Sequence, residues 1–232
     1  MGEISHDALN GVQYRIFEGR RSANAYTQSQ NALYQTWKLG WDSTFQELRS
    51  DSIAQSPDFL RQTLVAGLFI GEQKVIGLQA YSFFNVHLEA HLEHPYFRTY
   101  PSAVLDALKS RGAHQFMTME YLYVDPNWRR SIIGISMADV ICSLGLKIFS
   151  NSANDAVISI TRNERKVNQM LYDKGAECLA KDLQLHNVTV DIIGFFKNKI
   201  LETSSEEANL AKKLWEERLD TTLPTEKIIR AA

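Results

Sequence analysis

The sequence predicts an α+β fold: a mixed, strongly twisted central sheet flanked by helices. Three observations carry that prediction. Two apolar runs, LVAGLFI and KVIGLQAYSFF, are separated only by Gly71-Glu72-Gln73 and read as an antiparallel hairpin. A strand ending at Val124-Asp125-Pro126 leads into an amphipathic helix and then a short apolar strand, AVISI. After one more helix come two further strands, CLAKDLQL and VTVDIIGFF. This order of strand, helices, hairpin, strand, helix, strand, helix and two strands requires both parallel and antiparallel pairs.

Taken in order, residues 12–17 (VQYRIF) form a first strand closed by Glu18-Gly19. Over residues 22–48, Leu33, Trp37, Trp41, Phe45 and Leu48 fall near helical spacing, and Gly40 predicts a break into two helices. Ser56-Pro57-Asp58 marks a helix start, with serine as N-cap and proline at the first position. After the hairpin, residues 85–115 interrupt the strands as an insertion. It carries Pro95, Pro101 and a helix over residues 102–111 that ends at Gly112. In the next strand Glu120, Leu122 and Val124 alternate with Tyr121 and Tyr123, which predicts two distinct faces. Ile133, Met137, Ile141, Leu144 and Ile148 recur at helical spacing, so a helix begins right after Trp128-Arg129-Arg130-Ser131. Another helix is expected over residues 163–174. Near the C-terminus, Ser204 and Glu207 form a capping box ahead of Leu210, Leu214 and Trp215. That amphipathic helix would pack on the domain or on a second subunit, the latter making a homodimer. The expected organisation is one domain over residues 1–200 and a helical extension over residues 201–232.

Composition narrows the function classes. With 232 residues, of which 44% are hydrophobic, the chain fills one α/β domain. A net charge of -2 gives no general affinity for nucleic acid, and Arg20-Arg21 and Arg129-Arg130 are local pairs. The N-terminal MGEISHDALNG has no apolar core, and no run is long enough to span a bilayer, so neither membrane nor nucleic acid is expected as a partner. Cys142 and Cys178 lie far apart, on elements expected to be buried, without metal-type spacing; a reducing cytoplasm fits. His87, His91 and His94 lie in NVHLEAHLEH, with His87 and His91 on one face of a presumed helix. H-x-E-x-H is not the metalloprotease H-E-x-x-H and no further ligand set is evident, so a surface helix without metal is expected. Tyr81, Phe83, Phe84, Tyr96, Phe97 and Tyr100 read mainly as core, with the capacity to wall a pocket.

Chemistry concentrates at residues 119–136, MEYLYVDPNWRRSIIGIS. The first turn of a helix has unpaired N–H groups and the positive end of the macrodipole, both favouring an anion. Two arginines beside it add directed donors, so the junction suits a polyphosphate. V-x-P-x-W-R-R-x-I-x-G resembles the coenzyme A pyrophosphate loop of the GNAT acetyltransferase superfamily, Q/R-x-x-G-x-G/A after a strand ending in V-x-P. The matching positions are Arg129, Ile132 and Gly134, with isoleucine in place of the first glycine. A left-handed backbone there would cost about 1–2 kcal/mol; close approach alone would require the Ile132 side chain to point away.

The resemblance covers residues 12–196 and implies a GNAT-like fold. It also implies an acyl-CoA-dependent N-acyltransferase that moves an acyl group, acetyl first among them, to a small-molecule or peptide amine. Leu122, Tyr123 and Val124 would align the pantetheine arm, while Arg129, Arg130, Ser131, Ile132, Ile133, Gly134, Ile135 and Ser136 would hold the pyrophosphate. Glu120, on the strand before the loop, would be the base. Tyr172, in N-Q-M-L-Y-D-K-G-A, is similar to the tyrosine of N-x-x-A-x-x-x-Y-E-K-x-G-F and would protonate the leaving thiolate, although one residue is missing between Lys174 and Gly175. Asn163 and Asn168 are further coenzyme contacts. The same strand and Trp128-Arg129-Arg130 also resemble N-acyl amino acid and acyl-homoserine lactone synthases, which implies an alternative donor, a long acyl chain on acyl carrier protein. A third reading is a degenerate module that binds coenzyme A or a protein without turnover.

Overall fold

An eight-stranded sheet, in the order β6-β7-β5-β4-β3-β2-β1-β8, organises the chain. The computed structural model describes residues 9–20, 26–201 and 204–222. Arg21, the start of the expected 22–48 helical stretch and the end of the C-terminal extension lie outside those residues. β1 (Val12–Glu18), β2 (Leu64–Ile70), β3 (Lys74–Asn85) and β4 (Gln115–Val124) form an antiparallel meander. α6 (Met137–Ser150) carries the chain over to β5 (Ala156–Arg162), which pairs parallel to β4. β7 (Val188–Phe196) lies antiparallel to β5, with β6 (Glu177–Leu185) outside it. β8 (Leu219–Asp220) adds a parallel edge to β1. Two residues are too short to show a strand period, so β8 was not anticipated.

The two faces of β3, which carries a bulge at Ile76, separate two cores. Leu78 and Ala80 pack beneath α1 (Thr27–Glu47) with Leu33 and Trp37, whereas Ile76 and Tyr81 join Val140, Ile141 and Leu144 of α6. On that second face α8 (Glu206–Glu216) buries Ala211 and Leu214 against α6 and β1. The C-terminal helix therefore docks on its own domain. Between β3 and β4 the insertion forms α3 (Glu89–Leu92), a 3-10 turn (Pro95–Thr99) and α4 (Ser102–Ser110), covering a cluster around Phe84, Phe97 and Phe116.

Several expectations are corrected. α1 runs unbroken through Gly40, because that glycine is a contact point: a Cβ there would come within 2.5 Å of the Tyr123 ring. α2 (Ser56–Leu60) has Gln55 rather than Ser56 as N-cap. α3 is a single turn that leaves His87 outside, so His87 and His91 share no helical face. α7 covers only Val167–Tyr172, since residues 163–166 form a turn with Lys166 at φ 55°. α8 starts one residue late, capped by Ser205, whose hydroxyl accepts from the Ala208 N–H at 3.1 Å. The helix after β4 is not one continuous helix starting right after Ser131. A one-turn α5 (Arg130–Ile133) ends at Gly134 in the left-handed region, and α6 follows with Ser136 as N-cap. Cys142 is buried as expected, but Cys178 is exposed on the edge strand β6.

Candidate active site

The site begins with an irregularity in β4. Opposite Leu78 and Ala80, the partner positions jump from Tyr123 to Glu120, so β4 contains one extra residue, and Tyr121 takes φ 56°. Such a bulge turns side chains that strict alternation would place elsewhere. Tyr121 and Tyr123 face α1, with Thr118 and Glu120 turned toward Arg61 at the end of α2, whereas Met117, Met119, Leu122 and Val124 pack with α6. The expected grouping of Glu120 with Leu122 and Val124 is therefore overturned. The Tyr121 conformation is held by its ring, edge-on to Trp37 at 5.4 Å and Trp41 at 5.1 Å.

The bulge coincides with a split in the sheet. β4 pairs with β5 only from Phe116–Ala156 to Thr118–Ile158, and the Ser159 hydroxyl then donates to the Met119 carbonyl at 2.8 Å. Past that point β4 keeps β3 as far as Val124, and β5 keeps β7 as far as Arg162. The two strands diverge, leaving residues 120–124 along an opening on the β5 side of β4.

A cavity of about 280 Å³ lies on the α1 side of the opening. Met119, Glu120 and Tyr121 line it from β4, Ile160 and Arg162 from β5, and Trp41 and Phe45 from α1. Within it, Arg61 at the end of α2 donates to Glu120, Nη1 to Oε1 at 3.3 Å and Nη2 to Oε2 at 2.5 Å. Thr118 Oγ1 donates to Oε1 at 2.6 Å and Gln62 Nε2 to Oε2 at 3.4 Å. Glu120 is thus a buried carboxylate with every oxygen engaged. Burial opposes the Arg61 charge, but Glu120 outweighs it and holds the guanidinium protonated more firmly than usual. Arg61 was not read as a site residue; an arginine one turn after a proline helix start carries no sequence pattern.

A second polar centre occupies the opposite face. Val190 lines the cavity, so Asp191, its neighbour on β7, projects toward α7. Its carboxylate accepts from Asn163 Nδ2 at 2.9 Å, Asn168 Nδ2 at 3.0 Å, the Tyr172 hydroxyl at 2.8 Å and the Asp182 N–H at 3.0 Å. Burial raises the Asp191 carboxyl, but these donors together pull it down to about 2. Burial, Cys178 and Asp191 all raise the Tyr172 hydroxyl above its ordinary value. Asn163, Asn168 and Tyr172, three residues singled out in the sequence, are thus brought together by one that was overlooked. A carboxylate in the apolar strand VTVDIIGFF was the available clue. Glu120 and Tyr172 lie on opposite faces of the sheet.

The turn after β4 presents a third feature. Asp125 caps a 3-10 turn (Pro126–Trp128), its Oδ1 accepting from the Asn127 N–H at 2.8 Å, and Arg129 and Arg130 are exposed beyond it. Ile132 is 63% exposed and lies in a right-handed turn, so the substitution carries no left-handed strain; Gly134, at φ 79°, takes that conformation. The N–H groups of Ile132 and Ile133 donate to the Arg129 carbonyl and that of Gly134 to Arg130. The Ser136 N–H donates to Glu207 Oε1 of α8 at 3.2 Å. Burial raises the Glu207 carboxyl, yet bonds from its own and the Ser136 backbone, then from Ser205, together with the Arg130 charge, hold it below its ordinary value. The Ser136 N–H is thus already bonded to an internal carboxylate oxygen.

The histidines have other duties. His91 Nδ1 accepts from the Asn85 N–H at 2.9 Å, His94 Nδ1 from Tyr96 at 3.2 Å, and His87 pairs with His114 at 2.9 Å. Among the described residues no group of three or more His, Cys, Asp or Glu side chains could hold a metal ion, and no helix is long and apolar enough to cross a membrane. Of the six expected aromatic residues, Tyr96 lines the cavity beside Glu120.

No family model matches the sequence, and no curated protein matches it at a significant level. Solved structures match the fold. A coenzyme A-dependent acyl-homoserine lactone synthase, BjaI, aligns over 95% of this chain and 99% of its own at a TM-score of 0.56 and 11% identity. A mosquito arylalkylamine N-acetyltransferase-like protein aligns over 80% and 99% at 0.55 and 13% identity. FeeM, an N-acyl amino acid synthase from uncultured soil microbes, aligns over 81% and 91% at 0.51 and 13% identity. With its split between β4 and β5 and its arginine-bearing turn ahead of α6, the chain has the fold of the GNAT N-acyltransferases.

Proposed function

We propose that this chain transfers an acyl group, acetyl or another short acyl, from coenzyme A to an amine. The observation that carries this reading is the split between β4 and β5, which runs from the Arg129-Arg130 turn to the cavity holding Glu120. In the proposed complex the pantetheine amides bond along Leu122, Tyr123 and Val124. Arg129, Arg130 and the turn over residues 131–136 receive the pyrophosphate. Glu120 takes the amine proton once Arg61 releases it. Asn163, Asn168 and Tyr172 shape the coenzyme side; the Tyr172 proton, held by Asp191, reaches the thiolate only if the sulfur displaces that bond. Phe84, Phe97 and Phe116 fill the space beyond the paired ends of β4 and β5, which favours a short acyl group. The solved acyl-homoserine lactone and N-acyl amino acid synthases support a second reading, in which acyl carrier protein presents a long chain. We place the activity in the cytoplasm, in keeping with the free thiols.

Thiol release from acetyl-, octanoyl- and decanoyl-coenzyme A and from acyl carrier protein thioesters, measured with a panel of amines, tests the reading. Turnover with a short coenzyme A thioester is expected; turnover confined to carrier-bound chains would select the second reading. No turnover with any donor and amine would leave the degenerate module.

A further inference from the structure

Arg61 also lines a second cavity, of about 570 Å³, that takes no part in the proposed transfer. It lies at an open edge of the sheet, where β3 runs on to Asn85 although β2 begins opposite Tyr81. Leu64, Phe83 and Phe84 give it an apolar wall, and the insertion contributes His91 and His94. Arg61 is the one lining residue it shares with the cavity that holds Glu120.

The polar groups around Arg61 are mostly donors. His91 Nδ1 accepts from the Asn85 N–H at 2.9 Å, and His94 Nδ1 accepts from the Tyr96 N–H at 3.2 Å. A backbone N–H can only donate, so each neutral imidazole carries its hydrogen on Nε2 and can offer only a donor there. Neither Nε2 has a hydrogen-bond partner among the described residues. Thr63 Oγ1 accepts from the Phe83 N–H at 3.2 Å, which leaves its hydroxyl proton to give. Arg61 engages three of its five N–H groups, with Glu120 Oε1 at 3.3 Å, Oε2 at 2.5 Å and the Tyr121 hydroxyl at 3.3 Å. Its Nε stands 4.0 Å from Asp58, too far for a hydrogen bond, so Nε–H and one Nη1–H remain.

Net charge does not choose the ligand, because Glu120 offsets Arg61 and the lining residues Arg20 and Glu18 are of opposite sign. The donor excess does. A carbonyl oxygen has two lone pairs, whereas a carboxylate or phosphate has enough for all these hydrogens and makes the stronger, charge-assisted bonds. An anion would also oppose the burial and then the Arg61 charge that lower the His94 imidazole.

We propose that this cavity is a site for a small organic anion, a carboxylate or phosphate ester on an apolar body, held by His91, His94 and the remaining Arg61 N–H groups. Arg61 is then shared between the anion and Glu120. Such coupling is reciprocal, so a bound anion loosens the guanidinium from Glu120 as much as Glu120 weakens the anion. An occupied site thus favours the state in which an amine can reach Glu120. That consequence rests on the N-acyltransferase reading; the site itself does not.

Calorimetric titration of the full chain with benzoate, phenyl phosphate and the neutral isostere benzamide reads the claim. At least one anion is expected to bind about 10-fold or more tightly than benzamide, and the tighter of the two identifies the group as carboxylate or phosphate. His91→Asn and His94→Asn keep an acceptor where Nδ1 stands but remove the Nε2 donor, and each should weaken that anion about 10-fold. Glu120→Gln, which removes the charge competing for Arg61, should tighten it several-fold. Should a variant fail to fold, the Nε2 resonances of His91 and His94 in the unaltered, 15N-labelled chain should still shift when the anion is added. Benzamide binding as tightly as both anions, anion affinity unchanged in both histidine variants, or unmoved Nε2 resonances would overturn the site. Weaker anion binding in Glu120→Gln would overturn the sharing of Arg61. Every arm reads binding alone, so a chain that acylates no amine would lose the transferase reading and keep the site, and a chain that acylates amines but binds neither anion would do the reverse.

Discussion

Two buried carboxylates, Glu120 and Asp191, sit on opposite faces of the split, and each is held by donors that the sequence only partly disclosed. Glu120 was legible from its place on the strand before the loop. Its partner was not, because Arg61 lies 59 residues away in sequence and meets it only through folding. Removing one member of a buried ion pair leaves the other unpaired, so Arg61→Ala should cost about 3–5 kcal/mol in urea denaturation at neutral pH. A loss under 1 kcal/mol would mean that water compensates the carboxylate freely. Glu120→Gln should reduce turnover about 100-fold or more with little change in donor affinity. Asp191 makes a different prediction. Its carboxyl is lowered from 3.8 to about 2, so its stabilisation is complete above the unfolded value and disappears as pH falls through about 2. Between pH 5 and 2 the unaltered chain should lose on the order of 2 kcal/mol more stability than Asp191→Asn. Parallel pH profiles for the two would remove Asp191 as the hub of the Asn163, Asn168 and Tyr172 cluster.

Elements with a clear period were legible: the β2–β3 hairpin, α4, β7 and the apolar side of α6 all fall where spacing and capping put them. Departures from period were not. The bulge at Tyr121 is invisible to an alternation rule because the residue is tyrosine rather than glycine, its backbone imposed by Trp37 and Trp41. Gly40 and Gly134 look alike in sequence, yet one serves contact and the other conformation. Gly134→Ala should cost about 1–2 kcal/mol through its left-handed φ, whereas Ile132→Gly should shift stability and coenzyme affinity by less than about 1 kcal/mol each. Abolished coenzyme binding in a folded Ile132→Gly variant would show that the side chain makes a contact the turn does not reveal. The Ser204 and Glu207 capping pair was misassigned because Ser205 is the cap, and Glu207 also reaches across to the Ser136 N–H. If a phosphate oxygen and that carboxylate compete for one N–H, Glu207→Gln should tighten coenzyme A binding several-fold, by about 1 kcal/mol. Weaker binding would make Glu207 a support of the turn.

At the scale of the whole molecule, one sheet with a split is the frame on which every other feature depends. β4 and β5 are joined where Phe116, Met117 and Thr118 meet Ala156, Val157 and Ile158, and parted where the bulge turns β4 toward α1. The order of elements was readable from sequence, since hairpin and crossover each leave local marks; the divergence was not, since it depends on how many bonds two distant strands share. The account's central claim is that the parted edge over residues 120–124 and the turn over residues 129–136 bind one coenzyme A molecule. Amide hydrogen exchange with and without saturating coenzyme A tests it most directly. Slowed exchange in both segments is the predicted result, with β1, β2 and α4 unaffected. Coenzyme A that binds while both segments exchange unchanged would contradict it.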